Sequence, residues 1–215
     1  MQKTSHHLKQ AYTEKSTAIK KRLSEFKNII AEADDNRLFE ELAFCICTAG
    51  ASAKMGLKSV EAMRDHLPSG SLKKLQKKLD GVHRFPNARP RYIIHTRDYL
   101  KSEHDFKIRE LILSFEDPLE RRDFFAKNKN IKGIGYKEAS HFLRNIGFSG
   151  YAILDKHILN TLYELKIIKE PKPPTNRDKY LEVEDKLKDF ANDIGIHVDE
   201  LDLLLWSEKT GEILK

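Results

Sequence analysis

Asn130-Ile-Lys-Gly-Ile-Gly-Tyr-Lys-Glu-Ala-Ser-His-Phe-Leu-Arg-Asn-Ile-Gly-Phe-Ser-Gly-Tyr-Ala-Ile-Leu-Asp155 is the stretch on which the reading of this chain turns. It reads as a Gly-x-Gly hairpin between two helices, followed at once by Lys137 and, 18 residues later, by Asp155. In Lys132-Gly-Ile-Gly-Tyr136 the glycines permit positive φ and leave room for a phosphate to approach the backbone. Amides at the start of the helix opened by Lys137 point toward such a phosphate, and the helix dipole adds attraction. Contacts of this kind ignore base identity, so they hold a DNA backbone without reading sequence. Lys132, Gly133 and Gly135 are therefore the backbone-binding candidates. Ile134 is expected to plug the turn, and the hairpin carbonyls offer a site for a structural monovalent cation. A plain tight turn is the competing reading of a lone Gly-x-Gly. The flanking helices, the basic residues Lys127, Lys129, Lys132 and Arg144, and the downstream aspartate argue against it.

Lys137 and Asp155 are the candidate catalytic pair. Lys137 falls in the first turn of its helix, where the positive dipole end disfavours an ammonium, and a nucleophilic lysine acts as the free amine. Attack of that amine on a sugar C1′ expels the base and leaves an imine. The imine acidifies the 2′ proton, and β-elimination then breaks the strand. Asp155 precedes a helix over 156–167, so an ordinary N-cap is its alternative role. The two roles are compatible, because a capping carboxylate is rigid and ionised and can stabilise positive charge developing at C1′.

Outward from this block the pattern is helical throughout, and the fold class is all-α. Apolar positions recur at Ile19, Leu23, Phe26 and Ile30, predicting a helix over 11–30. The run 38–48 predicts a buried helix. Ser71 and Gly81 bracket a helix over 72–80, and Pro90 opens one over 91–100. Asp117 and Pro118 read as an N-cap with proline at the first helical position of 119–128. Thr175 is expected to cap a long helix ending near Gly195, and Gly211 closes a last one over 199–208. Two helical lobes are expected, residues 1–30 with 147–215 and residues 31–146. The second carries the helix–hairpin–helix at about 118–146, at a cleft between the lobes.

Composition narrows the partners. Of the 215 residues 33% are charged, above the ~25% of ordinary soluble domains. The net charge of +6 favours a polyanion. Cys45 and Cys47 lie in an apolar run and, two apart on a helix, cannot bridge; they read as small buried hydrophobes. Two cysteines also exclude a cysteine-ligated iron–sulfur cluster. His83, His141 and His157 lack metal-ligand spacing and read as structural or DNA-facing, so no catalytic metal is expected. No run approaches the ~18 apolar residues of a membrane span. A cytoplasmic, nucleoid-associated monomer without a cofactor is expected.

The run Ile131 to Gly147, followed by Ala152-Ile-Leu-Asp-Lys-His-Ile-Leu159, resembles the helix–hairpin–helix DNA glycosylases, and within them the archaeal-type 8-oxoguanine DNA glycosylase/lyases. The resemblance extends over the whole chain. It includes Phe39 to Ala49, Gly81-Val-His-Arg-Phe85, and the ending from Leu205-Trp206 to Lys215. It implies Lys137 as the imine-forming nucleophile and Asp155 as the essential carboxylate. It implies Lys215 as the residue distinguishing 8-oxoguanine from guanine, Trp206 as a stack on the flipped base, and Phe85 as the opposing face. Duplex DNA containing 8-oxoguanine is the implied partner. Gly50-Ala-Ser-Ala-Lys-Met55 departs from the family, which carries a bulkier polar residue near Gly50 and an acid near Lys54. Chemistry supports the implied specificity. Oxidation turns N7 from acceptor to donor, so a fixed acceptor such as the Lys215 carboxylate would pair with the lesion and face guanine unpaired. A glycosylase for oxidised pyrimidines and a non-catalytic DNA-binding module are the alternatives.

Overall fold

The computed structural model describes residues 2–213, with side chains from residue 6 onward. Among the described residues there is no strand. Eleven α-helices follow in chain order: α1 Gln2–Glu32, α2 Asp35–Thr48, α3 Ala53–Met63, α4 Leu72–Leu79, α5 Ala88–His104, α6 Ile108–Leu113, α7 Pro118–Lys127, α8 Tyr136–Asn145, α9 Lys156–Glu164, α10 Arg177–Ile194 and α11 Val198–Thr210. None is long and apolar enough to cross a membrane. The chain divides into two compact units, one of residues 1–27 with 147–215 and one of residues 28–146.

The central unit is built around α2. From Leu38 to Thr48 almost every side chain of this helix is buried, which requires neighbours on all sides. They are α3, α5, α6 and α8. At the α3 crossing Gly56 lets the backbones close, since a Cβ there would lie 2.5 Å from Thr48 Cγ2 and 3.0 Å from Phe44. The buried Glu41 pairs with Arg37 at 2.6 Å and receives Asn145 Nδ2 at 3.5 Å, joining α2 to α8. Both cysteines lie fully buried here as free thiols.

α8 is sunk into this core. Ala139 to Asn145 are all buried, with Phe142 against Phe125 of α7 at 5.0 Å and His141 edge-on to Phe44 at 5.4 Å. Arg144, expected in a basic surface around the hairpin, is one of these buried residues. Its position on the inner face of α8, set by helical period, outweighs its charge.

In the terminal unit the first part of α1 meets α11. Leu8, Ala11, Ile19 and Phe26 form its buried stripe, and Tyr12 donates to Glu200 at 2.6 Å. Lys15 reaches both Ser207 and Glu208. α11 packs on α9 and α10 through Leu201, Leu203, Leu204 and Leu205.

Several boundaries differ from the expected ones. α1 begins nine residues before Ala11. α5 starts at Ala88, so Pro90 falls within its first turn, where its missing N–H costs nothing. The cap of α10 is Asn176, whose side chain accepts from Lys179 N at 3.0 Å; Thr175 lies one residue too early. α3 and α6 have no counterpart in the expected pattern.

Candidate active site

The hairpin of the central unit joins α7 to α8. Asp117 caps α7 by accepting from Leu119 N at 2.9 Å, with Pro118 behind it. The loop is then held from within: Asn130 N donates to Asn128 Oδ1, and Lys132 N donates to Thr96 Oγ1 of α5, both at 2.9 Å. Ile131, 3% exposed, is the side chain that plugs the loop, whereas Ile134 is only half-buried. Gly133 has φ +77°, and a Cβ there would meet the Tyr92 ring at 2.6 Å, so conformation and space both demand glycine. Gly135 is the N-cap of α8, and its N–H donates to Glu138 Oε2 at 3.2 Å. The amides of Lys132 and Gly135 therefore already have acceptors. An anion binding them would compete with Thr96 and Glu138.

Lys137 is the second residue of α8, with its side chain 26% exposed and Nζ 3.5 Å from Glu138 Oε1. It stands near the start of a helix that is packed in the core from Ala139 to Asn145, which positions its Cα. Glu138 thus touches both the hairpin and the candidate nucleophile, a role the sequence reading missed. Its signal was present: a carboxylate three residues after the capping glycine is the second half of a capping box. At the next position outward, Tyr136 donates to Asp123 at 2.9 Å, and Asp123 also receives Lys127 at 2.6 Å. Burial, and then the Asp123 bond, push the Tyr136 phenol up.

Asp155 belongs to the terminal unit. It is the N-cap of α9, in extended conformation with φ −82° and ψ 177°, and Oδ1 accepts from Ile158 N at 2.9 Å. The segment leading to it, residues 151–154, is buried and belongs to no helix. Tyr180 and Glu184 of α10 hold that segment by its backbone, and Asp199 of α11 accepts from Gly150 N just before it. The capping role expected of Asp155 is present.

Phe85 lies in the central unit, 37% exposed, on a short loop between α4 and α5. Arg84 lies over its ring at 4.5 Å and Arg89 at 5.2 Å. Arg89 also reaches toward Tyr92, itself 36% exposed and in contact with Gly133. Within one unit, exposed Arg84, Phe85 and Tyr92, bridged by the buried Arg89, therefore form an edge that reaches the hairpin. His83 fixes one end of it. Its Nε2 meets the Cys47 carbonyl at 2.9 Å, so it must carry the proton, and Nδ1 accepts from Phe85 N at 2.9 Å. The ring is a neutral tautomer with both nitrogens engaged. Burial holds its pKa below the ordinary value; the Cys47 bond opposes this, and the positive charges of Arg89 and Arg84 add to it.

Trp206 is half-buried on α11 in the terminal unit. Lys215 lies outside the described residues. His157 is half-buried in the first turn of α9 and accepts Thr161 Oγ1 at its carbonyl. Among the described residues no group of three His, Cys, Asp or Glu is arranged to hold a metal ion.

Comparison with known proteins adds the following. Residues 19–196 match the family model Ogg-HhH, described as 8-oxoguanine DNA glycosylase. An 8-oxoguanine DNA glycosylase/AP lyase of Methanocaldococcus jannaschii is 39% identical over 198 residues, 92% of this chain and 91% of that protein. One from Fusobacterium nucleatum is 35% identical over 213 residues, 98% and 97% of the two chains. The crystal structure of the M. jannaschii 8-oxoguanine glycosylase/lyase in complex with a 15mer DNA containing 8-oxoguanine superposes with a TM-score of 0.90 at 36% identity, covering 99% of both chains.

Proposed function

The chain belongs to the 8-oxoguanine DNA glycosylase family, and we propose that it excises 8-oxoguanine from duplex DNA through an imine on Lys137 and then nicks the abasic site. The Lys137 amine attacks C1′, the bond from C1′ to the base breaks, and the base leaves with the electron pair. Loss of one amine proton gives an aminal at C1′, and breaking the ring bond from C1′ to O4′, with the electron pair and a proton going to O4′, leaves the protonated imine. That imine withdraws electrons from C2′, whose proton is lost as the bond from C3′ to its phosphate oxygen breaks. Asp155 stabilises the positive charge at C1′ and takes up the amine proton.

The observation that carries this reading is the setting of Lys137. Lys137 stands partly exposed at the start of a helix that is buried from Ala139 to Asn145, next to the Gly-x-Gly turn. The turn contributes backbone contact through residues 132–135. Its backbone oxygens are the hard donors a monovalent cation takes, and we include such an ion at the hairpin in the proposal. For the flipped base, Trp206 supplies one stacking face at about 1–3 kcal/mol, Phe85 the other, and Lys215 the contact that separates lesion from guanine.

The test is strand cleavage by the wild type, Lys137→Gln and Asp155→Asn on duplexes carrying 8-oxoguanine, guanine or thymine glycol. The reading predicts cleavage of the first duplex alone. Lys137→Gln should remove it while DNA affinity stays within roughly tenfold. Asp155→Asn should bind and fail to turn over. Near-normal turnover by either variant refutes its assigned role, and cleavage of thymine glycol alone transfers the site to oxidised pyrimidines.

A further inference from the structure

We propose that Tyr180 and Glu184 are positioning residues for Asp155, suspending the segment before it from α10 and so setting where its carboxylate stands. The inference rests on the role of Asp155 proposed above. Residues 151–154 are buried yet form neither helix nor strand, so their backbone groups need partners from elsewhere. Side chains supply them. Ala152 N donates to Glu184 Oε1 at 2.8 Å, and the Tyr180 hydroxyl donates to Ala152 O at 2.7 Å. The same hydroxyl accepts from Leu154 N at 3.3 Å, one residue before Asp155. Tyr180 and Glu184 stand four apart on one face of α10, so a single helix holds three points of the segment, two on Ala152 and one on Leu154. At the far end Asp199 accepts from Ser149 Oγ at 2.5 Å and from Gly150 N at 3.0 Å.

The polar identity of these residues is costly. Glu184 is 1% exposed, and Lys188 Nζ lies 3.6 Å from its carboxylate. An apolar residue of similar volume would fill the site without burying a charge. What Glu184 alone provides is an acceptor aimed at Ala152 N–H. One oxygen of Asp155 is committed to Ile158 N, so the other is what faces a reacting sugar, and its position follows from the backbone that Tyr180 and Glu184 hold.

The experiment measures single-turnover excision of 8-oxoguanine at saturating enzyme, DNA affinity and Tm. The variants are Tyr180→Phe, Glu184→Gln and Glu184→Ala, each alone and combined with Asp155→Asn. Loss of the clamp should lower the rate roughly tenfold or more in Tyr180→Phe and Glu184→Ala, as small misplacements of catalytic groups do, with affinity nearly unchanged. Glu184→Gln should retain most of the rate, because its amide oxygen still accepts. On the Asp155→Asn background the residual rate should fall no further, since the clamp acts only through that carboxylate. Wild-type excision by Tyr180→Phe, or an equal further drop in the double variants, overturns the inference. Should Glu184→Ala fail to fold, Tyr180→Phe and Glu184→Gln decide. A wild-type protein that does not excise 8-oxoguanine overturns the proposed function itself, and this inference with it.

Discussion

His83 shows how a single residue can carry a structural decision. Its imidazole donates to one carbonyl and accepts one amide, so a second proton would break the bond to Phe85 N and place a cation beside Arg84 and Arg89. The folded state therefore lowers its pKa, and the unfolded chain binds the proton more readily. The stability it contributes is fully present above the unfolded value of about 6.5 and is lost as pH falls below it. A ring titration followed by NMR should have its midpoint below that value; a midpoint at or above it contradicts the neutral bridge. Cys47 is governed by burial in the same way, its thiol pushed up to about 12. Neither cysteine should react with a water-soluble disulfide reagent at pH 8 until the protein is unfolded, and rapid native modification of either would refute the packing of α2.

At the scale of elements, α2 and α8 carry the central unit. Truncating Leu42, fully buried in α2, should lower stability by about 2–5 kcal/mol in denaturant unfolding. Gly133→Ala should cost about 1–3 kcal/mol, because the new Cβ meets the Tyr92 ring in a backbone conformation that disfavours it. A loss below half of the lower bound in either case would mean that the site relaxes freely. These two elements were legible in the sequence for different reasons. The α2 run is so apolar that only a buried helix suits it, and the hairpin is punctuated by glycine, proline and a capping aspartate. α3 and α6 were not legible. The inward face of α3 includes Gly56 and Ser59, which show no hydrophobic period, and α6 is six residues long. Thr175 was preferred to Asn176 because both are capping residues one position apart, and only the backbone torsions separate them.

For the whole molecule, an all-α architecture and the residues that open α8 and α9 could be read from residue order alone. The partners of those residues could not. Glu138 lies within reach of Lys137 and was overlooked as one more charge on a charged helix. Tyr180, Glu184 and Asp199 are separated from the residues they hold by 26 to 50 positions, and an amphipathic helix carrying a buried glutamate looks, in sequence, like any other. Local signals report the groups that end elements, whereas long-range hydrogen bonds of buried polar side chains leave no periodic trace.

Covalent capture probes the proposed chemistry most directly. The protein is incubated with an 8-oxoguanine·cytosine duplex and borohydride, beside a thymine-glycol duplex, and the adducted peptide is sequenced by mass spectrometry. An adduct formed with 8-oxoguanine and mapped to Lys137 is the predicted result. An adduct on another lysine, with thymine glycol alone, or with neither lesion would contradict it.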